Sequence, residues 1–136
     1  MDFVKLKQYR NSKSPFARKL GIEVEAIGPG YARAVKRIRE DDLSPVDTVH
    51  GGIPFALAET CSSAVASSHG YHFVTVSADF HYLRACRVGD TLTAEAREIE
   101  RGQLFYLCEV RMLDQRGQMV GSGSFTYFLT EQRIEL

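Results

Sequence analysis

The sequence predicts an α+β domain in which one long antiparallel β-sheet curls around a single central helix. Three observations carry this. The stretch from Ile53 to Ser68 is rich in helix formers and apolar around its whole circumference, with Ala and Ser where a surface helix would carry Lys and Glu. Such a helix is buried on nearly every side. Three long segments follow, Thr91–Glu100, Leu104–Leu113 and Met119–Leu129, joined by Arg101-Gly102-Gln103 and Asp114-Gln115-Arg116-Gly117. Spacing this close means antiparallel hairpins. Finally, 136 residues suffice for one domain, 1–136, with a core of its own, and leave no room for two.

Taken in order, residues 2 to 20 read as one or two short helices, with Ser14-Pro15 as the start signal of the second. This N-terminal segment, 1–20, is expected to be a lid or packing piece. From Gly21 the texture changes: Ile22, Val24 and Ala26 alternate with glutamates. Gly28-Pro29-Gly30 then supplies a turn, and Tyr31 to Arg39 returns as a second strand. The polar run Glu40–Asp47 leads into His50-Gly51-Gly52 and should shape a site entrance.

After the helix, Gly70 suits a left-handed cap. From Val74 the period is two, with Val74, Val76, Ala78, Phe80 and Tyr82 on one face and Thr75, Ser77, Asp79 and His81 on the other. In the last strand Gly121 and Gly123 share a face, where missing side chains would let the small-residue helix come close. One sheet cannot close completely around its helix. A homodimer is therefore the least assembly expected, with a tetramer as a pairing of dimers.

Seventeen basic residues balance seventeen acidic ones, which argues against nucleic acid or an anionic membrane as partner. No apolar run approaches a spanning length and the first residues lack a signal-peptide core, so a cytoplasmic location is expected. Cys61, Cys86 and Cys108 are odd in number and widely spaced, and read as reduced thiols. His69 and His72 straddle a glycine without further ligands nearby, so no metal is expected.

Into the apolar helix the sequence places one formal charge, Glu59, with no basic residue three or four positions away. An unpaired buried carboxylate costs several kcal/mol and is rarely kept without a use. Ser63, at i+4, shares its face, so a hydroxyl and a carboxylate can hold one water between them. Gly51 and Gly52 open the helix with amides that no side chain shields. A polarising amide end with a carboxylate about two turns further in is the minimum equipment for attack on an acyl carbonyl. The alternative is a structural ion pair between Glu59 and an arginine from elsewhere in the fold.

His50-Gly51-Gly52, with an acid nine residues after the histidine, resembles the hot-dog-fold acyl-CoA thioesterases, in particular the phenylacetic-acid-degradation branch and the Glu-bearing hydroxybenzoyl-CoA type. Val76–Leu92 is similar to that family's strand, basic turn and Gly-Asp lead-in to the next strand, and Gly121–Phe125 to its glycine-rich last strand. The matches span about Leu20 to Leu129. The resemblance implies hydrolysis of an acyl-CoA thioester at a dimer interface, with coenzyme A as part of the substrate and no separate cofactor.

By that resemblance Glu59 is the general base or the nucleophile, the Gly51 amide polarises the carbonyl, and Ser63 orients the attacking water. His50 shapes the thioester pocket, or else caps the helix start. Gly52, Phe55, Phe80, Tyr82 and Phe16 would line the substrate site, and Arg84 and Arg87 would meet CoA phosphates unless they are merely solvated. The chain departs from the pattern at Ser44, where many relatives carry an amide side chain six residues before the histidine. Two other classes stand beside hydrolysis. A hot-dog dehydratase or hydratase would need a Pro-rich loop with a catalytic histidine, which this chain lacks, and a non-catalytic acyl-CoA binder draws some support from Ser44.

Overall fold

The computed structural model describes residues 1–136. Helix α1 (Phe3–Lys13) starts where the Asp2 carboxylate accepts from the amides of Val4 and Lys5, each at 3.1 Å. Helix α2 (Pro15–Leu20) is capped by Ser14, has proline in its first turn, and is ended by Gly21 at φ +69°. Strands β1 (Glu23–Gly28) and β2 (Tyr31–Arg37) form a hairpin closed by Gly30 at φ +64°. A 3-10 turn at Glu40–Asp42 leads to the central helix α3 (Gly52–Ser67), one residue earlier at each end than the sequence suggested. Strands β3 (Tyr71–Tyr82), β4 (Thr91–Arg101), β5 (Phe105–Leu113) and β6 (Met119–Arg133) complete the chain.

The six strands form one sheet in the order β1-β2-β4-β5-β6-β3, and every pairing is antiparallel. Helix α3 packs against all six, which a sheet achieves only by curling around it. This is the hot-dog arrangement. Leu57, Cys61, Ala64 and Val65 are fully buried on the helix. They meet Ala32 and Ala34 of β2, cross-strand partners of Ala96 and Ala94 of β4. The Cys61 thiol lies 3.4 Å from the Ala32 carbonyl and 3.3 Å from that of Ala94. Such an approach of helix to backbone requires alanine on the sheet.

Two expectations about the strands are corrected. Gly121 and Gly123 do not make room for the helix. A Cβ at Gly121 would lie 2.5 Å from the Phe80 ring, and one at Gly123 would collide with the Asp79 carbonyl and the Phe80 backbone. The glycines accommodate β3 and its phenylalanine.

The period of β3 also breaks. Register shifts between Thr75 and Ser77, so Thr75 lies opposite the buried Tyr127 while Ala78 and Phe80 lie opposite the buried Phe125 and Gly123. An extra residue at Val76 reverses the alternation. Thr75 therefore joins Phe80 and Tyr82 on the helix side, and Val74 faces out.

A buried ion pair fixes the approach to α3. Lys36 Nζ lies 3.0 Å from Asp42 Oδ2 with both side chains out of solvent, and it also donates to the Leu20 carbonyl. Asp42 Oδ2 accepts from the Arg39 amide at 2.7 Å, and the Asp42 carbonyl accepts from the His50 amide at 2.9 Å. The strand β2, the end of α2 and the loop into α3 are thus tied at one point.

Candidate active site

The loop before α3 is closed on itself. Leu43 bridges Val49, the hydroxyls of Ser44 and Thr48 lie 2.9 Å apart, and Asp47 takes φ +61° at the tip. Ser44 Oγ also accepts from the Val46 amide at 3.3 Å, so this hydroxyl is engaged within its own loop. His50 Nδ1 accepts from the Gly52 amide at 2.8 Å, which places the ring proton on Nε2. The histidine caps the helix start. Of the two glycine amides expected to be free, Gly52 is therefore taken, while the Gly51 N–H meets no acceptor in the chain. The Gly51 carbonyl accepts from the Tyr82 hydroxyl at 2.7 Å.

Two turns into the helix stands Glu59. It is half-buried, and Thr75 Oγ1 donates to its Oε1 at 3.1 Å. Tyr127, buried on β6, reaches the Glu59 carbonyl at 3.4 Å and shares a 2.7 Å hydrogen bond with Ser62. The carboxylate is not as solitary as the sequence suggested. Arg10 of α1 reaches the same helix face, donating to Ser63 Oγ at 2.5 Å and to the Thr60 carbonyl at 3.4 Å. It makes no ion pair with Glu59 or any other carboxylate.

Ser63 has its hydrogen directed to the Thr60 carbonyl at 3.0 Å and its lone pair toward Arg10. It is buried, and the hydroxyl beside the Glu59 carboxylate is that of Thr75 instead.

A surface pocket of about 300 Å³ opens at the helix start, lined by Val49, Gly51, Pro54, Tyr82, Leu83 and Arg84 among others. Behind it run edge-to-face rings: Phe55 to Phe80 at 6.2 Å and Phe80 to Tyr82 at 4.9 Å. Phe16 is exposed on α2 and outside this ring cluster. Arg84 donates to the Met119 carbonyl at 2.8 Å, and the Arg87 side chain is exposed at the turn into β4, where the Arg87 amide donates to Asp90 Oδ2 at 2.9 Å. No group of three or more His, Cys, Asp or Glu side chains is arranged to hold a metal ion.

Two residues at this site were not singled out from the sequence, Thr75 and Arg10. The first was hidden by the bulge. The second lies in a helix with no readable amphipathic pattern, and nothing local connects it to residues 50 positions on.

The thioesterase superfamily model matches residues 47–120, which run from the loop before α3 to the start of β6. The acyl-coenzyme A thioesterase PaaI of Escherichia coli is 28% identical over 104 residues, 76% of this chain and 74% of that one. The structure of the E. coli PaaI protein superposes with a TM-score of 0.87 at 24% identity, over 95% of this chain and 97% of that one. A Streptococcus mutans protein solved with acetyl-CoA bound superposes with a TM-score of 0.78 at 26% identity, over 83% and 91% of the two chains.

A Streptococcus pneumoniae hypothetical thioesterase solved with coenzyme A superposes with a TM-score of 0.78 at 28% identity, over 83% of this chain and 88% of that one. Two mutant structures of that protein replace an aspartate and a threonine, sixteen positions apart, by alanine.

Proposed function

The chain belongs to the thioesterase superfamily, and on that premise we propose that it hydrolyses acyl-CoA thioesters, with Glu59 and Thr75 activating water and the Gly51 amide receiving the carbonyl oxygen. The observation that carries this reading is the Thr75–Glu59 hydrogen bond on a half-buried carboxylate. In the reaction Glu59 takes a proton from water as the oxygen attacks the acyl carbon. The negative charge that develops on the carbonyl oxygen is met by the Gly51 N–H, a kind of contact worth about 3 kcal/mol in the transition state. The C–S bond then breaks, and the proton on Glu59 passes to the leaving thiolate, giving free acid and coenzyme A. Direct attack by Glu59 through a transient anhydride uses the same groups and gives the same products.

The supporting residues take narrower roles. His50 holds the helix start, so Gly51 presents its amide from a fixed position. Phe55, Phe80 and Tyr82 form the apolar wall for the acyl group beside Gly52, and the exposed Arg84 and Arg87 offer their charge to the CoA phosphates. Ser63 serves from behind, through Arg10. Strand β3 is a twelve-residue edge with Val74 and Val76 exposed, and such an edge is ordinarily paired or covered. This supports a homodimer joined along β3, with pairing of dimers to a tetramer as the next level. No helix is long and apolar enough to cross a membrane, and three free thiols fit a reducing, cytoplasmic setting.

A thiol-release assay over aliphatic and aromatic acyl-CoAs, run beside Glu59→Gln, tests the reading. Hydrolysis by the natural chain and loss of about two to four orders of magnitude in the variant are expected, as for removal of an acid–base group. One observation favours a second reading: the Ser44 hydroxyl is consumed by Thr48, so the site has one polarising donor fewer than an amide would supply. Tight acyl-CoA binding without thiol release across the whole panel would make the protein a binder.

A further inference from the structure

The outer face of the sheet carries charges that nothing above uses. Register places Arg97 of β4 opposite Glu109 of β5, and Glu95 opposite Arg111, in two neighbouring rows that run across the strands. The residues between the rows, Ala96 and Val110, are buried, so these four side chains point away from α3. All four are exposed. Opposite charges in such positions ordinarily interact across the ladder, yet none of the four forms an ion pair within the chain. Arg97 leans the other way, its guanidinium carbon 5.1 Å from the Tyr31 ring centroid. The rows continue over β6 as Ser124 and Ser122 and end on β3 as Asp79 and His81, which approach each other to 3.6 Å. The short serines leave a groove of about 410 Å³ on β6, with Glu109 and Arg111 along one side and Asp79 and His81 along the other.

Strand by strand, one row is the charge inverse of the other: Arg97 against Glu95 on β4, Glu109 against Arg111 on β5, Asp79 against His81 on β3. A twofold axis that runs across the strands midway between the rows turns each row over onto its inverse. We propose that this face docks a second copy of the same chain, with Glu109 and Arg97 of each copy meeting Arg111 and Glu95 of the other. The proposal rests on the reading of dimers paired to a tetramer and names the surface that pairs them; it does not need the hydrolytic reading. Seventeen basic and seventeen acidic residues leave no net charge to oppose the approach of like copies. The serine floor lets two sheets come close while the long flanking side chains reach across, and the groove holds water, as polar interfaces do. A partner of one charge sign, such as a nucleic acid or an acidic peptide, loses on one row what it gains on the other.

Sedimentation equilibrium of the full chain at about 0.05 M and about 0.5 M NaCl tests this, because salt screens exposed charge pairs and leaves the hydrogen-bonded β3 joint. Four copies are expected at the lower salt and two at the higher. Glu109→Arg sets like charges together twice across the twofold, and should weaken the four-copy particle by at least about a hundredfold. Arg111→Glu should do the same from the other row, and serves if Glu109→Arg does not fold. The double exchange, Glu109→Arg with Arg111→Glu, should return four copies, although it puts like charges opposite Arg97 and Glu95 within the chain. Charges that serve only the chain's own sheet predict a double variant no better than either single one. Four copies that ignore both salt and Glu109→Arg overturn the proposal and assign the tetramer to another face. Two copies under every condition overturn it alone, and a single copy throughout removes the dimer reading with it.

Discussion

Thr75 Oγ1 donates to Glu59 Oε1 at 3.1 Å across the junction of strand β3 and helix α3, joining residues whose sequence pattern puts them on opposite sides of the sheet. A donor at this point orients the carboxylate and leaves its second oxygen free. Thr75→Ala should lower kcat for acyl-CoA hydrolysis by about tenfold to a hundredfold, with a smaller change in KM, because a hydrogen bond to a charged group is worth about 1.5–3 kcal/mol. Thr75→Ser should restore most of the rate. Steady-state kinetics of the two variants check this, and equal kcat for Thr75→Ala and the natural chain would remove Thr75 from the site.

The Lys36–Asp42 pair is buried on both sides and lies where β2, α2 and the loop to His50 meet. Removing one partner strands the other charge out of water. Asp42→Ala should destabilise the fold by about 3–5 kcal/mol, read from the urea midpoint at unchanged slope. Replacing both residues with apolar side chains of similar volume should recover much of the loss.

Gly123→Ala tests the account of the glycines in β6. The added Cβ collides with backbone atoms of β3, which cannot rotate away as a side chain would. Loss of about 1–3 kcal/mol is expected, as for overpacking elsewhere. The Gly121 contact is with the far end of the Phe80 ring, so Gly121→Ala paired with Phe80→Leu should be tolerated better than Gly123→Ala with the same partner. Thermal unfolding of the four proteins gives the order.

Burial pushes the thiols of Cys61 and Cys108 up to about 12. Their unfolded value is about 8.5, so the folded state binds the proton more tightly. The stability this contributes is fully present below about 8.5 and is lost as pH rises toward 12. Unfolding free energy should therefore fall steadily above about pH 9, with a shallower fall in Cys61→Ala. Below that range a thiol reagent should modify Cys86 first, the one cysteine that is not fully buried. Mass spectrometry after brief labelling would show it.

The architecture was legible because α3 and the hairpins β4 to β6 announce themselves through composition and turn residues that act over a few positions. Glu59 was legible for the same reason, as a charge out of keeping with its helix. What stayed hidden acts at a distance. The bulge at Val76 follows from pairing with β6, not from any residue in β3 that marks it, and it carried Thr75 to the wrong side of the expected alternation. Gly121 and Gly123 were correctly read as a place of close approach, but their partner is Phe80, which only the strand order reveals. His50 shows a subtler limit: its ring caps Gly52, halving the pair of free amides that two adjacent glycines suggested.

The unspent donor at Gly51 belongs to the main chain, and no exchange of side chains can delete it. The walls provided by Phe55 and Phe80 are side chains and open to replacement. On the proposed reading, the molecule thus divides its labour between a permanent grip on the reacting oxygen and a remouldable cavity for whatever is attached to it. Redesign toward a bulkier or slimmer acid should begin at those two rings and leave the glycine alone.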